Sequence, residues 1–158
     1  MRTTLILLTM ITACSMDSFR KKPASTNTGE PETLTYASEL GVDIDKMTRT
    51  PSGLLYLDRK IGEGPTATKG AVVGVGYVGW LADGQPFDRS APGSPIEFPL
   101  GRRRVIAGWD EGIEGMKVGG RRLLVIRPSL AYGSESPGAG IPPNATLVFD
   151  VTLDRVTP

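Results

Sequence analysis

Apolar and polar residues alternate most clearly near the end of the chain. Leu147, Phe149, Val151 and Leu153 fall on one side of an extended segment, and Thr146, Val148, Asp150, Thr152 and Asp154 on the other. A period of two predicts a strand with one covered face. Residues 121–127 (RRLLVIR) read as a second strand, halted by Pro128. Residues 53–61, with Leu55 and Leu57, read as another, ending at Gly62-Glu63-Gly64. Residues 71–81 form a further strand, and Asp83-Gly84 predicts a hairpin turn with the return over 85–88. Helical spacing appears only over 103–116, where Val105, Trp109, Ile113 and Met116 recur at four, four and three, with Gly119-Gly120 as a stop. Gly108, Gly112 and Gly115 each weaken that helix by up to about 1 kcal/mol, so tertiary packing has to hold it. One short helix on a one-sided antiparallel sheet is an α+β domain.

The first residues have a different pattern. Arg2 precedes an apolar run over 5–11, followed by small residues up to Cys14. This predicts a signal peptide over 1–13, too short to span a bilayer. Ile11-Thr12-Ala13-Cys14 resembles the bacterial lipobox, although leucine is usual at its first position. The resemblance implies that Cys14 is lipidated and that the protein is an exported membrane lipoprotein facing the periplasm, held only through its lipid anchor. An ordinary cleaved signal with an unused cysteine is the alternative. Ser15 lacks the acid associated with inner-membrane retention, which favours the outer membrane where two membranes exist. Residues 14–50 are expected to be a tether. Its first part, to about 35, is polar and reads as flexible, and residues 36–47 suit a turn or two of helix packed on the domain at 51–158.

Composition narrows the chemistry. The chain has 158 residues and a formal charge of +1, with 39% hydrophobic and 22% charged residues, values that fit one globular domain with short appendages. Loss of residues 1–13 removes Arg2 and no acid, leaving a neutral chain with no field for nucleic acid. Histidine is absent, which removes His-dependent triads, bases and metal ligands. With one cysteine there is no internal disulfide or thiolate cluster. No metal and no cofactor is expected, and no long dimerising helix is present, so the expected state is a monomer. The glycines at 74, 76 and 79 spell G-x-G-x-x-G, but no helix follows them before the Asp83-Gly84 turn. They read as close backbone packing, not as a dinucleotide site.

Seven aromatic residues fall between positions 77 and 149: Tyr77, Trp80, Phe87, Phe98, Trp109, Tyr132 and Phe149. From the residues alone they are either core or the lining of a concavity. The stretches GYVGWLADGQPFD (76–88), PIEFPLG (95–101), VIAGWDEGIEGMKVGGR (105–121) and PSLAYG…GIPPNATLVFDVTL (128–153) resemble the FKBP-type peptidyl-prolyl cis-trans isomerases, in spacing as well as identity. SGLLYLDRKIGEG (52–64) resembles the first strand of bacterial secreted members.

The resemblance implies a curved antiparallel sheet wrapped around the helix, with an apolar pocket between them. Tyr77, Phe87, Asp88, Ile106, Trp109, Tyr132 and Phe149 would carry catalysis, and Ile96, Phe98, Val105 and Ile141 would bind substrate. Trp109 would floor the proline site, Ile106 would offer its N–H to the carbonyl before the ring, and Tyr132 its hydroxyl to a substrate carbonyl. Proline-containing polypeptides would be the clients, and a macrolide of the rapamycin class a ligand. The loop RSAPGS (89–94) is about a residue shorter than the family's and holds only Arg89. Ile96 stands where many members have an aromatic residue, and Pro137 where some have histidine. These departures bear on ligand affinity and substrate preference. The alternative is a binding module of the same fold that holds chains with little turnover.

Overall fold

The computed structural model describes residues 27–158, so the signal segment and Cys14 lie outside the described residues. Strands β1 (Thr48–Arg49), β2 (Leu55–Lys60), β3 (Val72–Leu81), β4 (Pro86–Arg89), β5 (Ile96–Pro99), β6 (Arg121–Ile126) and β7 (Leu147–Thr157) form one antiparallel sheet. Its order is β1-β2-β6-β7-β3-β4, with β5 also paired to β3. The long strand β7 lies between β6 and β3, so its four inward apolar residues reach the middle of the molecule. They meet Trp109 and Ile113 in the main core. The outer edge of β3 is divided: β5 pairs with Val72–Val75, and β4 with Val78–Trp80. Strand β5 has four residues and ends in proline, too short for a period of its own; the free edge of β3 is what extends it.

The helix α1 (Ala107–Ile113) has seven residues, half the predicted span. The carboxylate of Asp110 accepts the N–H of Gly101 at 2.8 Å and that of Arg103 at 3.0 Å. These bonds keep the preceding chain in a loop. Gly115, at φ +82°, ends the helical run. Val105 and Met116 keep their apolar contacts from outside the helix. The glycines that lower helix propensity are required by the packing. A Cβ on Gly108 would lie 2.5 Å from Ile126 Cγ2, and one on Gly112 2.8 Å from Leu124 Cδ2. Only bare backbone lets α1 approach β6 this closely.

The sheet is covered on both faces, which corrects the one-sided reading. Ala37, Leu40 and Met47, with Tyr36, Val42 and Ile44 beside them, pack on Leu55, Leu123, Val125 and Val148 of the outer face. Three short 3-10 turns, Pro31–Thr33, Ser38–Leu40 and Ile44–Lys46, carry this cover. The tether also ends earlier than composition suggests. Gly29 donates to the Asn144 carbonyl at 2.9 Å, Asn27 donates to Asp83 at 3.0 Å, and Pro31 is buried. Polar composition misleads here because backbone groups and the Asn27 side chain do the docking.

Under this cover lies Asp150, 6% exposed. Its carboxylate accepts from Arg59 at 2.6 Å and from Arg121 at 2.7 and 2.9 Å. Arg59 also donates to the Leu40 carbonyl at 2.6 Å, tying the N-terminal segment to the sheet. A buried carboxylate is tolerated only when paired in this way.

Candidate active site

Between α1 and the inward face of the sheet is a pocket of about 200 Å³. Each wall comes from a different element. Strand β3 contributes Tyr77, β4 contributes Phe87 and Asp88, β5 contributes Ile96 and β7 contributes Phe149. The loop before α1 supplies Arg104, Val105 and Ile106, the helix supplies Trp109, and the loop after β6 supplies Tyr132.

Trp109 organises the aromatic residues. Its ring centroid lies 4.8 Å from Tyr77 at 81° and 5.3 Å from Phe149 at 83°. Phe87 stands 5.4 Å from Phe149 at 90°. These edge-to-face contacts fix the rings against one another. Gly79, directly opposite Phe149 across the β3–β7 ladder, makes the room for them. A Cβ there would lie 2.6 Å from Phe149 Cε1 and 2.8 Å from Phe87 Cζ.

Few polar groups break the apolar lining. Tyr77 donates its hydroxyl to Asp88 at 2.7 Å. Burial and then that carboxylate push the Tyr77 hydroxyl well above its usual range, so it keeps its proton. Tyr132 is 40% exposed at the rim. Burial of its remainder, then the Asp88 charge, raises its pKa as well, so it too remains a donor. Ile106 caps α1, its carbonyl accepting from Trp109 at 2.9 Å. Its own N–H has no acceptor among the described residues. The Trp109 Nε1 is buried without a partner among the same residues.

Nine predicted residues therefore meet around one cavity: Tyr77, Phe87, Asp88, Ile96, Val105, Ile106, Trp109, Tyr132 and Phe149. Two predicted wall residues do not line it. Phe98, 6% exposed, stands behind the floor with its centroid 5.8 Å from Trp109. Ile141 is buried in the main core, its N–H on the Gly138 carbonyl and its own carbonyl accepting from Ser136 Oγ at 2.6 Å. Both support the cavity from outside, Phe98 by backing the indole and Ile141 by anchoring its loop. Arg104 is the lining residue that the sequence reading missed. Its signal was the run of three arginines before the VIAGWDEG stretch.

Residues 64–154 match the FKBP-type peptidyl-prolyl cis-trans isomerase family. The chain belongs to that family. Among curated proteins this FKBP domain is 51% identical, over 108 residues, to "FK506-binding protein 4" of Rhizopus delemar, an alignment covering 68% of the chain and 28% of that protein. It is 48% identical over 101 residues to "Peptidyl-prolyl cis-trans isomerase" of Saccharomyces cerevisiae, covering 64% of the chain and 24% of that protein. The chain thus spans about a quarter of the length of these curated relatives. Among solved structures, FkpA from Escherichia coli superposes with a TM-score of 0.67 at 41% identity, covering 77% of this chain and 55% of that one. AtFKBP13 superposes with a TM-score of 0.61 at 40% identity, covering 68% of this chain and 95% of that one. The sheet wrapped on one short helix is the fold these structures share.

Proposed function

We propose that this FKBP domain accelerates rotation about X–Pro bonds in other polypeptides without covalent chemistry. The observation that carries the proposal is the open aromatic pocket itself, floored by Trp109, with the Ile106 N–H beside it unpaired among the described residues. At about 200 Å³ it has room for a prolyl ring, given that a cavity of about 150 Å³ accepts benzene.

An X–Pro amide faces a barrier of about 18–20 kcal/mol because rotation destroys resonance. Water solvates the planar, charge-separated amide better than the twisted one. A water-poor pocket therefore disfavours the ground state relative to the transition state. The Ile106 N–H would hold the carbonyl before the ring while the ring turns over Trp109, and Tyr132 would steady a second carbonyl. Removing about 5 kcal/mol would bring tens of seconds to roughly ten milliseconds.

A proline-containing tetrapeptide assay tests this. Tyr132→Phe is expected to lower kcat/KM by roughly three- to tenfold, the worth of one hydrogen bond, with unchanged circular dichroism because the side chain is at the rim. Phe87→Ala should lower it further. Full turnover in both variants would remove these residues from the site. A flat trace from folded parent protein would instead indicate a module that only holds chains. A macrolide of the rapamycin class is proposed for the same pocket.

For the N-terminus we propose lipidation at Cys14, with export to a bacterial membrane and a domain facing the periplasm. What supports this reading is the single cysteine of the chain standing after the two small residues that follow the short apolar run. Among the described residues, no helix is long and apolar enough to cross a membrane. If Cys14 carries the anchor, Cys14→Ser expressed in a bacterial host moves the protein from the membrane fraction to the soluble one. Unchanged fractionation would refute the anchor.

A further inference from the structure

We propose that the arginine loop at 102–104 selects clients carrying a carboxylate next to the isomerised proline, with Arg104 as the residue that sets this preference. The inference rests on the isomerase reading of the pocket and adds a substrate class to it.

Arg104 lines the proline pocket. Arg103 lines a second, larger cleft together with Lys69 and the acids Asp110, Glu111 and Glu114. The two concavities share Val105 and Ile106. A polypeptide whose proline sits over Trp109 and which continues across this shared edge passes Arg104 on the pocket side, where no acid but Asp88 is among the described lining residues.

These arginines differ from most others in the fold. Arg49, Arg59, Arg121, Arg122, Arg127 and Arg155 each pair with a carboxylate. The side chains of Arg102, Arg103 and Arg104 make no ion pair or hydrogen bond among the described residues, and all three are exposed. The acids of the second cleft, Asp110, Glu111 and Glu114, keep their charge but pair with none of the three guanidinium groups among the described residues. Asp110 is occupied by the Gly101 and Arg103 backbone N–H groups. Glu111 accepts from Ser52 at 2.8 and 2.7 Å.

The loop is held in place rather than merely charged. Arg103 sits at φ +55°, a left-handed conformation that side chains other than those of Asn and Asp seldom adopt. The two bonds to Asp110 offset that cost and pin the loop to α1. The guanidinium groups are therefore displayed from a fixed backbone, which reduces the ordering cost of meeting a ligand. Asp88 on strand β4, the only acid among the described residues of the pocket lining, is bonded to Tyr77 on β3. Cation and anion thus belong to different walls, and a client with acid at one flank of its proline has a favourable way to lie.

The test is a tetrapeptide panel with Glu, Ala or Lys at each flank of the proline. Turnover is read as kcat/KM, and binding as the change in tryptophan fluorescence. At low salt we expect roughly fivefold preference for Glu over Lys at one flank, the size of a partly exposed ion pair gained against a repulsion. It should fade toward 1 M salt, where the screening length falls to about 3 Å. Arg104→Glu should reverse the preference. Lys60→Glu, the same charge change on β2, should leave it intact. Equal values for Glu and Lys at both flanks, or a preference that survives Arg104→Glu, would overturn the proposal. Should no peptide turn over, the isomerase reading fails, while the binding measurements still decide for or against the arginine loop.

Discussion

Trp109→Ala should unfold this domain at a far lower urea concentration than the parent and leave no measurable isomerase activity. The indole is 4% exposed and is enclosed by Tyr77, Phe98 and Phe149. Removing a buried aromatic of this size costs about 3–5 kcal/mol. Loss of the edge-to-face pairs with Tyr77 and Phe149 falls within the upper part of that range. Against a total stability of roughly 5–15 kcal/mol, this is a large fraction. The floor of the pocket goes with it, and Tyr77 and Phe149 lose the surface that orients them. Trp80, on the other face of the sheet, remains as the fluorescent reporter of unfolding. Trp109→Phe separates the two effects. A smaller ring should keep much of the stability and part of the turnover. A midpoint for Trp109→Ala within error of the parent would show that the indole is not the keystone of this face.

A second large effect is expected at a residue with no side chain. Gly79→Val should lower kcat/KM by on the order of a hundredfold, equivalent to about 2.7 kcal/mol. Strand propensity alone predicts the opposite sign, because a β-branched residue in the middle of β3 ought to stabilise it. Space decides the outcome. The first added carbon already lies 2.6 Å from Phe149 and 2.8 Å from Phe87, and valine carries two more. Both rings must tilt into the pocket or out of register. Overpacking of this kind costs about 1–3 kcal/mol, so the protein should still fold with its sheet intact and its cavity reshaped. Pocket binding, read through tryptophan fluorescence, should fall in parallel with turnover. Parent-like kcat/KM in folded Gly79→Val would mean that Phe87 and Phe149 do not need their present positions.

Strand β7 was legible residue by residue, because Leu147, Phe149, Val151 and Leu153 hold a period of two and all enter the core. The hairpin at Asp83-Gly84 was legible for a chemical reason: Gly84 has φ +90°, and Asp83 accepts from the Gln85 N–H at 3.0 Å. The aromatic residues of the site were visible as residue types, and the resemblance to the family assigned them to a pocket. Their spacing could not separate core from cavity. Phe98 and Phe149 have nearly the same exposure, yet only Phe149 reaches the opening.

Other features came from contacts between segments far apart in the chain. The polar run to about residue 35 does not look like part of a domain, and although residues 36–47 were expected to pack on it, their apolar side chains become a cover only where Leu123, Val125 and Val148 wait to be buried. Asp150 reads as a solvent-facing strand acid until Arg59 and Arg121 close on it. Helix α1 is shorter than its periodicity because Asp110 bonds backward to the loop before it, a competition that hydrophobic spacing does not register.

The chain's own order of residues thus determined five of the seven strands, the position of the helix and the inventory of aromatic groups, since local periodicity and turn chemistry act within a few residues, whereas β1 and β5 needed a neighbouring strand. Which rings face the opening, which glycines are spaces for neighbouring rings and which arginines are left without partners was decided only by tertiary packing. Those properties depend on what a distant segment brings to within a few ångströms.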